Sequence, residues 1–168
     1  SGVHGLVALM GLQASRSAAR RAKNGEAVLL PDQDRALWDY AQIQRGMTAL
    51  ERAQRLGGGA KPYALQAAIA ACHMRARTAE ETDWERIVLL YDALMQISQS
   101  PIVALNRAVA VGEAQGPAAG LDALDAAARL AGAAAIVAID PNRGRLELTR
   151  ALGATAPATP GELDELVA

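Results

Sequence analysis

Phenylalanine is absent from this 168-residue chain, and aromatic side chains make up only 3% of it. With hydrophobic residues at 51%, the core must be built mainly from Ala, Leu, Val and Ile, whose small size lets helices approach closely. The single cysteine, Cys72, excludes an internal disulfide and fits a reducing compartment. Charge of one sign is also missing: 17 Lys and Arg against 18 Asp and Glu give a net charge of -1. That balance removes any global attraction to nucleic acid or to an anionic membrane. No uncharged apolar run approaches the ~20 residues needed to span a bilayer, and the first residues lack the positive-then-apolar layout of a signal peptide. The expected location is the cytoplasm. A chain of this length is one ordinary domain or a short array, able to bury about two-thirds of its unfolded surface without disulfide or metal staples.

What is present is a repeat. Ala64-Leu65-Gln66-Ala67-Ala68-Ile69-Ala70 returns forty residues later as Ala104-Leu105-Asn106-Arg107-Ala108-Val109-Ala110. Each copy begins just after a proline, Pro62 or Pro101, and each is followed by an amphipathic segment carrying Asp-Ala-Leu. A period of this size signals stacked helical hairpins. Such units bury one face on their neighbours and leave others for a partner, so the pattern points to binding before chemistry.

Periodicity and punctuation predict a nearly all-helical chain. Leu6, Leu9, Met10, Gln13 and Ser17 mark a first helix running into the basic run Arg16, Arg20, Arg21 and Lys23, with Asn24-Gly25 as its stop. Ala27-Val28-Leu29-Leu30 reads as extended loop packed on helices, since a lone strand has no partner. Asp32 is the expected N-cap of a long helix through Arg55 that buries Leu37, Ile43, Met47 and Leu50. Gly57-Gly58-Gly59 ends that helix. Further helices are predicted over 62–77, from Asp83 to Ile97, from Ser100-Pro101 to Gln115, and from Gly116-Pro117 to Leu130. Beyond that lie the apolar run Ala133 to Ile139, a turn at Asp140-Pro141-Asn142, a helix from Arg143 to Leu152, a linker over Ala154 to Pro160 and a short acidic helix.

Two resemblances follow. Asp83-Trp84-Glu85-Arg86-Ile87-Val88-Leu89-Leu90-Tyr91-Asp92-Ala93-Leu94, ending at Pro101, resembles the second helix of a tetratricopeptide (TPR) unit, and residues 102–116 the first helix of the next. A more specific resemblance spans residues 3–131. Leu6-Val7-Ala8-Leu9-Met10, Val28-Leu29-Leu30-Pro31-Asp32-Gln33-Asp34-Arg35 with Trp38-Asp39, Pro62-Tyr63 with Gln66 to His73, and Val103 to Val111 are similar to the C-terminal extension of a group of bacterial extracytoplasmic-function (ECF) sigma factors. In that group a sigma factor of ordinary layout is followed by a TPR-like domain. The resemblance implies a regulatory, protein-interacting role, with the sigma domains that precede this segment, RNA polymerase core or another regulatory protein as partners. Promoter contact would belong to those preceding domains. The competing reading is a stand-alone TPR-like adaptor unrelated to transcription.

The expected architecture is an all-α, TPR-like array of antiparallel helical hairpins over residues 1-131, opened by an N-terminal helical pair and closed by a cap of short helices over 132-168. Asn106 and Arg107 are the candidate binding pair, because TPR grooves hold carboxylates with amide and basic side chains of first helices; Gln66 is the equivalent of Asn106 in the earlier copy. Against this stands a structural role, with Asn106 bonded to a neighbouring helix and Arg107 solvated. Trp84 and Tyr91, seven apart, share a helix face and read as core or as part of a peptide groove. Arg16, Arg20, Arg21 and Lys23 read as a solvated helix end or as a basic run lying near DNA.

Catalytic signals are weak. Cys72 and His73 point about a hundred degrees apart on one helix and lack further ligands, so His73 reads as a helix-interface histidine. Asp32, Asp34 and Asp39 fit capping better than a carboxylate site. Gly57 to Pro62 has the wrong spacing for a phosphate loop. No enzyme activity, metal or cofactor is expected.

Overall fold

The computed structural model describes residues 2–132 throughout, and the backbone alone of 137–139 and 156–158. The chain divides into two compact units, Ser1–Ser98 and Gln99–Ala168. The first holds helices α1 (Gly2–Ala14), α2 (Tyr40–Arg55), α3 (Pro62–Arg75) and α4 (Trp84–Ile97), with three short 3-10 turns between α1 and α2. The second holds α5 (Pro101–Gln115) and α6 (Pro117–Leu130). The fold is an all-α helical array.

Helix α1 carries no charged residue and buries Gly5, Ala8 and Leu12, positions three and four apart on one face. Small residues dominate that face because other helices come so near. A β-carbon on Gly5 would lie 2.9 Å from the Ala64 nitrogen of α3, and one on Gly46 of α2 would lie 2.9 Å from the Leu12 side chain. Leu12, fully enclosed, contributes the ~1.5–3 kcal/mol of a buried aliphatic side chain. Leu6 and Met10, two of the residues that mark the helix in sequence, are exposed.

The helix stops before the basic run, contrary to expectation. The Ser15 hydroxyl donates to the Leu12 carbonyl and the Ser17 hydroxyl to the Ala14 carbonyl, each at 2.7 Å, so side chains take up terminal acceptors that another turn would have used. The Ser15 carbonyl accepts from the Asp39 N–H at 2.9 Å, tying the end of α1 to the start of α2. Asn24-Gly25 instead turns a tight hairpin in which Arg21 bridges Ala27, with Gly25 at φ 88°. The bridge is isolated and no strand forms over Ala27-Val28-Leu29-Leu30, which stays a loop whose Leu30 opens a 3-10 turn and packs against the core.

Helix α2 begins at Tyr40, not after Asp32. Asp39 is its N-cap, accepting from the Gln42 N–H at 2.8 Å, while Asp34 caps the 3-10 turn Arg35–Leu37 by accepting from the Ala36 N–H at 2.9 Å. The chain between them is extended at Trp38, which is 4% exposed, and this places the indole in the core. A continuous helix would carry Leu37, which is exposed, on the same path. Ile43 and Leu50 are buried and Met47 packs against the same cluster. The glycine stop ends α2 as expected: Gly58 N–H reaches the Ala53 carbonyl and Gly57 N–H the Gln54 carbonyl, with Gly57 at φ 71°.

Helix α3 is the interior element of its unit, packed by α1, α2 and α4, and it buries residues on every side from Ala64 to Cys72 except Gln66. Its repeat copy on α5 is buried at Ala104, Ala108 and Ala110 but exposed at Leu105, Asn106 and Val109. The same motif thus serves as a surrounded helix once and as a one-faced helix once. Helices α4, α5 and α6 begin and end where the caps and prolines predict, α4 through Asp83, which accepts from the Arg86 N–H at 2.9 Å. Within the second unit, Gly116 alone joins α5 to α6.

Val137–Ile139 and Ala156–Ala158 form a two-stranded parallel sheet with Val137 opposite Ala156. This corrects the linker expected over Ala154 to Pro160. The helices expected over Arg143 to Leu152 and at the C-terminus lie outside the described residues.

Candidate functional site

The turn from α3 to α4 gathers most of the polar chemistry of the first unit. Arg35 reaches across from its 3-10 turn and donates to the carbonyls of His73, at 2.9 Å, and Ala76, at 3.1 Å, two acceptors at the C-terminus of α3. Its guanidinium also stacks 4.5 Å from the Trp38 ring centroid. The His73 ring meets Trp84 edge-on, with centroids 5.2 Å apart. Burial, then Arg16 and Arg35, lowers the His73 pKa to about 4, so the ring is neutral at pH 7. His73 sits in a helix interface, as its sequence context predicts.

Beside this interface opens a pocket of about 400 Å³ lined by Cys72, Arg75, Ala76, Glu81, Asp83 and Arg86. Burial raises the Cys72 pKa, while the nearby Arg86 guanidinium opposes that shift. The thiol is therefore held protonated and unsuited to nucleophilic work. Among the described residues no three His, Cys, Asp or Glu side chains converge as metal ligands.

The residues singled out from sequence fall in separate places. Gln66, Trp84 and Tyr91 are half-buried on α3 and α4 of the first unit, and burial raises the Tyr91 pKa. Asn106, exposed, and Arg107, half-buried, lie on α5 of the second unit. The basic run does not form one solvated helix end. Arg16 is buried and donates to the Gln13 side-chain oxygen at 2.6 Å. Arg20 donates to the carbonyl and side-chain oxygens of Gln13 at 2.9 Å each, and Arg21 to the Gly25 carbonyl at 3.1 Å. Lys23 is exposed on the hairpin. The pocket arginines Arg75 and Arg86 were absent from the sequence candidates, since the only signal for them is the charged stretch Arg75 to Arg86 bridging two helices.

Two apolar stripes face outward. On α1, Val3, Val7 and Met10 are 72%, 53% and 62% exposed, at helical spacings that place them on one side. On α5, Ile102, Leu105 and Val109 flank Asn106 and are exposed as well. No described helix is long and apolar enough to cross a membrane.

Residues 1–54 match a family of unknown function, DUF6596. The chain is also similar to an uncharacterized protein of Rhizobium meliloti (strain 1021), with 51% identity over 117 residues, covering 70% of this chain and 27% of the relative. The chain therefore spans about a quarter of the length of that curated relative. No solved structure matches.

Proposed function

We propose that this chain is a regulatory protein-interaction module of an ECF-type sigma factor, modulating transcription initiation in the cytoplasm. The observation that carries an interaction role is the α1 stripe Val3, Val7 and Met10, large apolar side chains exposed on a helix without a single charge. A helix apolar on all sides is ordinarily covered on all sides. The resemblance of residues 3–131 to the sigma-factor extension supplies the transcriptional context. The much greater length of the Rhizobium relative supports a matched region that is one part of a larger protein.

In this reading the module docks on the sigma domains, on RNA polymerase core or on a further regulatory protein. It shifts the population of transcription-competent sigma factor through its different affinity for two states. A coupling of ~1–3 kcal/mol changes affinity about 5- to 150-fold, enough for regulation. The module itself needs no DNA contact, and a neutral overall charge agrees with that.

The test is promoter-specific transcription by core RNA polymerase with the full-length gene product, with a version lacking residues 3–168, and with a full-length Val7→Lys variant. Lost activity on truncation makes the module an activator, and gained activity makes it an inhibitory lid. Val7→Lys, at an exposed position, should move activity in the same direction while leaving the helical signal unchanged. Unchanged transcription from all three versions rejects control of sigma activity, and absence of promoter activity throughout favours an adaptor outside transcription.

A further inference from the structure

Three carboxylates in the loop that joins α3 to α4 are turned onto donors of that loop and of the first turn of α4. Glu81 accepts from the Arg77 N–H at 3.1 Å, and Asp83 accepts from the Arg86 N–H at 2.9 Å as the α4 cap. Glu80, fully exposed, is bonded to its own main chain and to the Thr78 hydroxyl, which lower its pKa. Glu81 and Asp83 share a lining with Arg75 and Arg86 without pairing with them, and the Arg86 side chain lies against the Cys72 thiol. Arg129 pairs with Asp125 on α6, whereas no described carboxylate lies within ion-pair distance of Arg75 or Arg86. Both line the pocket of about 400 Å³, a volume within the ~300–1,000 Å³ range of small-ligand sites.

We infer that this pocket binds a carboxylate carried on a short aliphatic stem, held between the Arg75 and Arg86 guanidiniums. The planar fork of each guanidinium matches a carboxylate with two parallel N–H bonds. Cys72 and Ala76 give the pocket an apolar part, where methylene groups can rest. Glu81 and Asp83 remain on its lining, and they repel a dianionic phosphate more strongly than a singly charged carboxylate. The buried Cys72 thiol, kept protonated, adds no negative charge. An acidic side chain or the C-terminal carboxylate of a peptide supplies this chemistry, and the site does not depend on the proposed regulatory role.

The experiment is a nuclear magnetic resonance titration of the isotope-labelled 168-residue chain with four probes. These are acetylated, amidated alanyl-glutamyl-alanine; its glutaminyl counterpart; acetylated trialanine with a free C-terminus; and inorganic phosphate. The glutamyl peptide or the free C-terminus should shift the signals of Arg75, Ala76 and Arg86 and bind at least ~10-fold more tightly than the glutaminyl peptide, the difference a charged hydrogen-bonding partner makes. Whichever of the two binds better identifies the source of the carboxylate. Arg75→Gln together with Arg86→Gln should abolish the shifts, and Arg75→Gln alone, at an exposed position, should weaken them without disturbing the fold. Equal binding of the glutaminyl peptide, tighter binding of phosphate, or unmoved pocket signals with every probe overturns the assignment.

Discussion

Gly120 of α6 lies against Gly112 of α5 with no space for a side chain between them: a β-carbon on Gly120 would stand 2.7 Å from the Gly112 Cα. The atom it meets is main chain, which cannot swing aside as a side-chain tip can. Gly120→Ala should therefore force the helices apart at ~1–3 kcal/mol, more than the ~1 kcal/mol that alanine gains in helix propensity. Thermal unfolding should show a lower midpoint, whereas Gly2→Ala, with nothing within 4 Å, should leave it nearly unchanged.

The three aspartates before α2 should separate by cost. Asp39 satisfies the Gln42 N–H at the start of a 16-residue helix, so Asp39→Ala should lose about 1 kcal/mol, with Asp39→Asn retaining most of it. Asp34 serves a three-residue turn and Asp32 makes no cap. Their alanine variants should cost less. Urea midpoints of the three variants, compared at equal slope, check the order.

Arg35 joins α3 to the 3-10 turn by two carbonyl bonds and lies over Trp38. Arg35→Met keeps the aliphatic stem but leaves both acceptors without the guanidinium, which should cost about 2 kcal/mol. It also removes a positive charge that holds His73 neutral, so the His73 pKa should rise. Chemical-shift titration of the imidazole in both proteins measures that rise directly.

Stability should fall in mild acid. In the folded chain the His73 pKa is about 4, below the 6.5 of the unfolded chain. Between these values the unfolded state binds more protons, so folding weakens as pH drops from about 6.5 toward 4 and levels off below that for this group. Urea unfolding at several pH values should show a smaller decline over this window in His73→Gln than in the parent chain. Equal declines would place the acid sensitivity elsewhere.

Elements announced by punctuation were legible in sequence. Asp83, Ser100-Pro101 and Gly116-Pro117 put α4, α5 and α6 in place because each supplies a cap or a fixed φ at the first turn. The start of α2 was harder to place, since Asp32, Asp34 and Asp39 are all good caps. The choice among them was made by Trp38 entering the core, a tertiary demand that local pattern does not carry. The contact face of α1 was hidden for a related reason. Ranking by apolar size favours Leu6 and Met10, whereas close helix approach selects Gly5 and Ala8. The Arg75 and Arg86 pocket was not legible because it forms from one helix end and the next helix start, across a loop whose shape decides which charges are already occupied.

The single-residue joint at Gly116 sets the order in which the molecule is expected to assemble. Closing α5 on α6 brings together residues already near in the chain, as the Gly112 and Gly120 contact shows, so it forfeits little loop entropy. The core of the first unit has to bring distant chain segments together, with Ser15 and Met74 meeting from 59 residues apart. Local contacts form fastest. The α5–α6 hairpin should thus be structured while the N-terminal helices are still searching for α3, and its residues should be among those already native-like in the folding transition state.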